Sequence, residues 1–229
     1  MKLRVLGCSG GIGGRHRTTS FLVDDDVLVD AGTGVGDLSL EELAQIDHVF
    51  LTHSHLDHVA CIPFLLDTVG NRRTKPVLIH ALEETIYTLA THLFNWKLWP
   101  DFTQIPTVGA PFMRYQPLSM GERVALGDRR FHVLPANHVV PACGYRLEST
   151  QGSLVFTGDT AECEALWEQL DGVPNLRYLI IETAFAIADK DLAAASKHLT
   201  PDSLARELTK LRSSPDILVT HLKPGEGQA

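Results

Sequence analysis

Five apolar runs in this chain stop at a side chain that can bind a metal or carry a proton. "HVFLTH" ends at His53, "FHVLPANH" at His138, "SLVFTGD" at Asp159, "RYLIIE" at Glu182 and "DILVTH" at His221. Short apolar runs rich in β-branched residues, bounded by Gly, Asp or Pro, read as buried strands. Strand ends on one edge of a sheet converge in space even when they lie far apart in sequence. The chain must therefore fold so that a sheet gathers these ends. Helical segments alternate with the strands, which implies a layered α/β fold with helices outside.

The first of these runs leads into "HSHLDH", residues 53 to 58. His53 and His55 are two apart, so on an extended turn both side chains can face one side. Asp57 and His58 follow as the chain enters a helix and point in different directions, which suits a second ion beside the first. Imidazole nitrogen and carboxylate oxygen suit zinc, and also iron or manganese. No candidate ligand is a cysteine, which argues against a closed structural zinc knuckle. Seven candidates are too many for one tetrahedral ion. Two ions with Asp159 between them account for the set: His53, His55, His138 and Asp159 for one, Asp57, His58, Asp159 and His221 for the other.

Composition narrows the function classes. A net charge of −8 argues against general nucleic-acid or anionic-membrane binding. A phosphorylated substrate would need a local cationic site, and a bound metal supplies one. No stretch approaches the roughly eighteen apolar residues of a membrane span, and "MKLRVLGCSG" carries no signal-peptide pattern. Cys8, Cys61, Cys143 and Cys163 are scattered without CxxC spacing, as free thiols in a cytoplasmic protein would be. The 229 residues, 44% hydrophobic, suffice for a single domain over 1–229. Within it, residues 94–117 are dense in aromatics and prolines and read as an irregular lid or interface insertion. Its Phe94, Trp96, Trp99, Phe102 and Phe112 are candidates to stack on a purine or to bury a dimer interface. "GCSGGIGG" and "GTGVG" read as tight turns near the site, since neither matches a P-loop. Asp30 is expected to hold loops or a ligand histidine. "LDHVACIPFLLDTVG" reads as one helix ending at Gly70, and Ser39 with Glu42 has capping-box spacing.

"HSHLDH" resembles the H-x-H-x-D-H motif of the metallo-β-lactamase superfamily. "DAG" at 30–32, "NH" at 137–138, "TGDT" at 157–160 and "TH" at 220–221 resemble its other motifs, in the expected order. The resemblance implies a four-layer αβ/βα sandwich and two divalent metal ions, zinc first, with manganese or iron as alternatives. "IIETAF" with "KHLTP" is similar to the ribonuclease Z-like branch. "SKHLTPDSLARELTKL" and "THLKPGEG" are similar to bacterial class II 3′,5′-cyclic-nucleotide phosphodiesterases.

What this implies is hydrolysis of cyclic AMP or cyclic GMP to the 5′-nucleotide by a metal-bridged hydroxide. Asp57 would orient the nucleophile, His198 would protonate the leaving oxygen, and Glu182 would orient His198. The expected partner is a small cyclic nucleotide, with a homodimer as the assembly. An RNA 3′-end nuclease of the ribonuclease Z type, or a lactonase or arylsulfatase-like enzyme, is the hydrolytic alternative. A flavodiiron-type oxidoreductase would carry a carboxylate where this chain has His55 and would need a flavin domain. A nucleotide-binding module without turnover would not need a complete ligand set.

Overall fold

The computed structural model describes residues 1–225, so Glu226 and Gly227 of "THLKPGEG" lie outside the described residues. Backbone contacts divide the chain into two compact units. One holds residues 2–8 and 12–118; the other holds Met1, residues 9–11 and residues 119–225.

The first unit is built on β1 (Leu3–Gly7), β2 (Ser20–Val23), β3 (Val27–Val29), β4 (His48–Phe50), β5 (Val77–Leu82) and β8 (Met113–Leu118). They form one sheet in the order β1-β2-β3-β4-β5-β8. The first three pair antiparallel, and β3, β4, β5 and β8 run parallel. Strands β2 and β3 are wholly buried, as expected of uniformly apolar strands in a parallel or mixed sheet. Helix α1 (Leu40–Gln45) begins with the predicted capping box: Glu42 N donates to Ser39 Oγ, and Ser39 N donates to Glu42 Oε2 at 2.8 Å.

The helix expected over 56–70 is broken. It forms α2 (Leu56–Val59) and then α3 (Ile62–Val69). The cause is a pair of main-chain bonds to the 30–32 turn: Ala31 N donates to His58 O at 2.7 Å, and Cys61 N donates to Ala31 O at 2.9 Å. Cys61 is thereby held by another segment, and Pro63 suits the first turn of a new helix. Helix α3 buries Ile62, Leu65, Leu66 and Val69, one face at helical spacing, in the core with Leu28, Val49 and Ile79.

The irregular reading of 94–117 holds only in part. After α4 (Glu83–Thr88) and a π-helical turn come the two-residue strands β6 (Pro106–Thr107) and β7 (Ala110–Pro111). Met113–Leu118, however, is a full strand, β8, in parallel register with β5. Phe94 and Phe102 are core residues, so the expectation that they stack on a base or form an interface is corrected. Phe112 and Trp99 pack against that core, while Trp96 is exposed. The aromatics fill the unit because 94–112 has little regular backbone with which to bury area.

The second unit contains β9 (Arg123–Leu126), β10 (Arg129–Pro135), β11 (Cys143–Ser149), β12 (Gly152–Phe156), β13 (Leu176–Glu182) and β14 (Asp216–Thr220). Its sheet runs β14-β13-β12-β11-β10-β9. Strands β9 to β12 form an antiparallel meander, and β12, β13 and β14 are parallel. Helices α5 (Glu164–Leu170), α6 (Lys190–Ser196) and α7 (Pro201–Leu208) complete it. Leu166, Trp167 and Leu170 of α5 share a core with Leu134, Val155, Leu179 and Ile181. Helix α6 has no counterpart in the sequence reading, although its alanine run has high helix propensity.

Two predictions follow from this packing. Phe102→Ala should cost about 3–5 kcal/mol of unfolding free energy in urea titrations; a loss under about 1 kcal/mol, the usual size for surface changes, would return the residue to a lid. The second concerns His80, which is 5% exposed and stacks on Phe50 with ring centroids 4.2 Å apart. Its Nε2 lies 3.0 Å from His48 Nδ1. Burial, helped by the His48 charge, lowers the His80 pKa to about 4. The unfolded chain then binds more protons than the folded one between the two pKa values, so this stability is present above about pH 6.5 and is lost as pH falls toward 4. The loss should be on the order of 2 kcal/mol, read as a fall in unfolding free energy from pH 7 to 5 that His80→Gln reduces.

Candidate metal centre and catalytic residues

In the second unit, parallel strand direction gathers the ligands. Strands β12, β13 and β14 are neighbours running the same way, and β10, two antiparallel steps from β12, shares their direction. Their C-terminal ends therefore lie along one edge. His138 follows β10, Asp159 follows β12, Glu182 ends β13 and His221 follows β14. The loops are tied together: Asn137 N donates to Thr160 Oγ1 at 2.9 Å, and Ala161 N donates to Asn137 O at 2.8 Å.

Glu182 is the fixed point of this edge. It is fully buried and receives Thr160 N at 3.0 Å, Leu199 N at 3.2 Å and His198 Nδ1 at 2.7 Å. Burial pushes its pKa up to about 7, opposed by the His198 bond and reinforced by the Asp159 charge. Burial lowers the His198 imidazole, but the Glu182 bond together with the Glu182 and Asp159 charges outweighs it and raises the pKa. His138 donates its Nδ1–H to the Lys197 carbonyl at 3.1 Å. His221 Nε2 is 3.3 Å from Asp159 Oδ2. The ring of His198 lies 4.9 Å from that of His138 and stacks on that of His221 at 5.4 Å. His138, Asp159 and His198 each offer a ligand atom within 4.8 Å of the others.

In the first unit, β3 and β4 are parallel neighbours, so Asp30 and His53 leave the same sheet edge. Asp30 is fully buried and acts as sequence reasoning expected. It accepts Thr52 N at 2.8 Å, Thr52 Oγ1 at 2.9 Å and His58 Nδ1 at 2.7 Å. Burial raises its pKa against the lowering effect of His58 and Thr52. His53 is also fully buried, its Nδ1 3.0 Å from Thr52 Oγ1. Its ring lies 4.7 Å from that of His55 and 4.2 Å from that of His58. Asp57, in the first turn of α2, places Oδ2 3.7 Å from His58 Nε2. The "DAG" turn is glycine-terminated for space: a Cβ on Gly32 would sit 2.4 Å from the Asp57 carbonyl.

These donors fit divalent metal. Histidines that give Nδ1–H to a carboxylate or carbonyl present the Nε2 lone pair, as ligating histidines do. His58 and His138 are held this way, and no cysteine stands among them. The structure thus brings His53, His55, Asp57 and His58 together in one unit, and His138, Asp159, Glu182, His198 and His221 in the other. Sequence reasoning missed Thr52, Thr160 and the Lys197 carbonyl. The two threonines adjoin motif residues and were detectable as neighbours; a main-chain carbonyl has no residue-type signal. Near His221, a Cβ on Gly10 would meet the His221 carbonyl at 2.5 Å, so this glycine serves close packing. The four cysteines are thiols outside any disulfide. No helix among the described residues is long and apolar enough to cross a membrane.

Comparison with known proteins agrees with this geometry. A family model described as a beta-lactamase superfamily domain matches residues 26–222. A probable 3′,5′-cyclic-nucleotide phosphodiesterase of Yersinia pestis is 27% identical over 206 residues, covering 78% of this chain and 57% of the relative. A ribonuclease Z of Methanopyrus kandleri is 27% identical, covering 64% of this chain and 50% of the relative. The chain thus spans only half to three-fifths of the length of these two relatives. The crystal structure of unliganded yeast PDE1 matches with a TM-score of 0.81 at 19% identity, covering 98% of this chain and 89% of that one. That likeness shows the metallo-β-lactamase type of α/β fold.

Replacing Asp30 by Asn keeps the side-chain volume and removes the carboxylate that holds His58. Metal affinity should fall by about ten- to a hundredfold, measured by competition with a chromophoric chelator. An unchanged affinity would mean that Asp30 supports the fold alone.

Proposed function

The chain belongs to the β-lactamase superfamily, as a metallo-hydrolase, and from that premise we propose that it hydrolyses phosphodiesters, 3′,5′-cyclic nucleotides first among them. The observation that carries this reading is the 2.7 Å bond between Glu182 and His198 Nδ1, set against His138 and Asp159. A phosphodiester leaves behind an alkoxide, which needs a proton. An imidazole oriented by a buried carboxylate supplies one. The similarity to a probable 3′,5′-cyclic-nucleotide phosphodiesterase and to a ribonuclease Z supports the same bond type.

In this reading His53, His55, Asp57, His58, His138, Asp159 and His221 would hold two divalent ions, zinc before manganese or iron. Bound there, the ions supply positive charge to the phosphate oxygens and make water more acidic. Asp57 orients the attacking water and accepts its proton. Water oxygen bonds to phosphorus, the bond to the 3′ oxygen breaks, and His198 gives that oxygen a proton from Nε2. Glu182 keeps Nδ1 protonated and the ring aimed. Asp30 and the Lys197 carbonyl hold His58 and His138 in their tautomers.

A second reading, an RNA 3′-end nuclease, is favoured by the ribonuclease Z similarity. It needs the same catalytic groups and differs only in what surrounds the phosphate. Turnover of cyclic AMP and cyclic GMP by metal-loaded protein, followed by chromatography beside bis(p-nitrophenyl) phosphate and an RNA with a 3′ extension, separates the two. No turnover of any diester would remove phosphodiester hydrolysis. His198→Ala is expected to cut kcat by about 10²–10⁴-fold, the size of a general-acid contribution, with metal content retained. Equal loss of metal would make His198 a ligand, which its place in the cluster with His138 and Asp159 also permits.

A further inference from the structure

A cleft of about 430 Å³ opens in the second unit beside His198, and His198 forms part of its wall. Helix α6 and the start of α7 form its sides. Ala161, Ala193 and Ala194 leave it open, since none carries more than a methyl group. Its charged lining is Lys190, Lys197, Arg206 and Glu162. Arg206 is paired with Glu162 at 2.9 Å, which leaves the two lysines as the excess charge. The N-terminus of α7 is occupied by its own capping box between Thr200 and Ser203, so the lysines, not the helix end, would attract an anion. In a chain of net charge −8, a pocket with two excess cations is a local reversal of sign.

We infer that this cleft is a subsite for a second phosphate of the substrate, carried on the leaving fragment. The inference rests on the reading of His198 as the group that protonates the leaving oxygen, because the wall it shares with the cleft then faces that fragment. It refines the substrate class. A cyclic mononucleotide has one phosphate and would leave the cleft empty. A diester whose departing nucleotide bears its own 5′-phosphate, as in a 5′-phosphorylated di- or oligonucleotide, would fill it. Hydrolysis of pApA at the bond between phosphorus and the 3′ oxygen gives two molecules of 5′-AMP. The same cleavage of ApA gives adenosine and 5′-AMP. The two substrates differ only in the phosphate that the cleft would hold.

The test compares kcat/KM for pApA and ApA with the metal-loaded full chain. Wild type should prefer pApA by about five- to tenfold at low salt, through KM, as expected for two exposed phosphate–lysine contacts. The preference should fall toward unity in the double variant Lys190→Gln, Lys197→Gln, and in wild type at high salt, where exposed charges are screened. Equal use of the two dinucleotides by wild type, or a preference that the double variant retains, overturns the subsite. If neither dinucleotide nor the generic diester is hydrolysed, the phosphodiesterase reading fails by itself. Calorimetric titration with pyrophosphate then decides the subsite: weaker binding by the double variant than by wild type supports it, and identical binding overturns it.

Discussion

A carboxylate taken out of water must be given hydrogen-bond donors or lose its charge. Two such groups, Asp30 and Glu182, organise this protein. Each is fully buried, and each gathers donors from segments distant in sequence. Asp30 draws on Thr52 and His58, fixing the first turn of the histidine motif. Glu182 draws on Thr160, His198 and Leu199, fixing two loops that leave different elements. The candidate ligand side chains are positioned because the loops that carry them are tied to these two carboxyl groups. Removing either would strand several donors at once, and the cost would fall on geometry as much as on stability.

The backbone shows where accuracy opposes local preference. Asp30, Lys197 and His221 adopt left-handed conformations, with φ of 56°, 53° and 63°. Such conformations cost non-glycine residues on the order of 1 kcal/mol or more. Asp30 holds His58, the Lys197 carbonyl holds His138, and His221 itself stands beside Asp159. Three of the six non-glycine residues with positive φ among the described residues thus stand in the candidate site, Asp24, Trp96 and Asn175 being the others.

Much of this was legible in the sequence for a physical reason. Buried strands need unbroken apolar runs, and a polar residue at the end of such a run is conspicuous. His53, His138, Asp159, Glu182 and His221 were found that way, and Ser39 with Glu42 announced its cap. Less legible were features set by other segments. The break between α2 and α3 depends on main-chain bonds to Ala31, which leave no mark in residues 56–70. Strand β8 was hidden because Pro117 and the surrounding aromatics and prolines disguise "MRYQPL", an outer strand of its sheet. The roles of Phe94 and Phe102 could not be read from composition, since an aromatic that fills a core and one that meets a ligand look alike.

The loop that carries His221 is completed by residues more than two hundred positions before it. Ser9 Oγ and Gly10 N both donate to the Leu222 carbonyl, across more than two hundred residues. Lys223 reaches back to the Gly10 carbonyl at 3.1 Å. On a ribosome the residues of the first unit emerge well before these contacts can form. Ser9 and Gly10 wait for more than two hundred further residues to be made before their partners exist. Contacts of such long sequence separation are slow to close. The His221 loop can therefore assemble only after both residues 9–10 and residues 221–223 have been made, and a ribosome-bound intermediate would hold the His53–His58 cluster long before that.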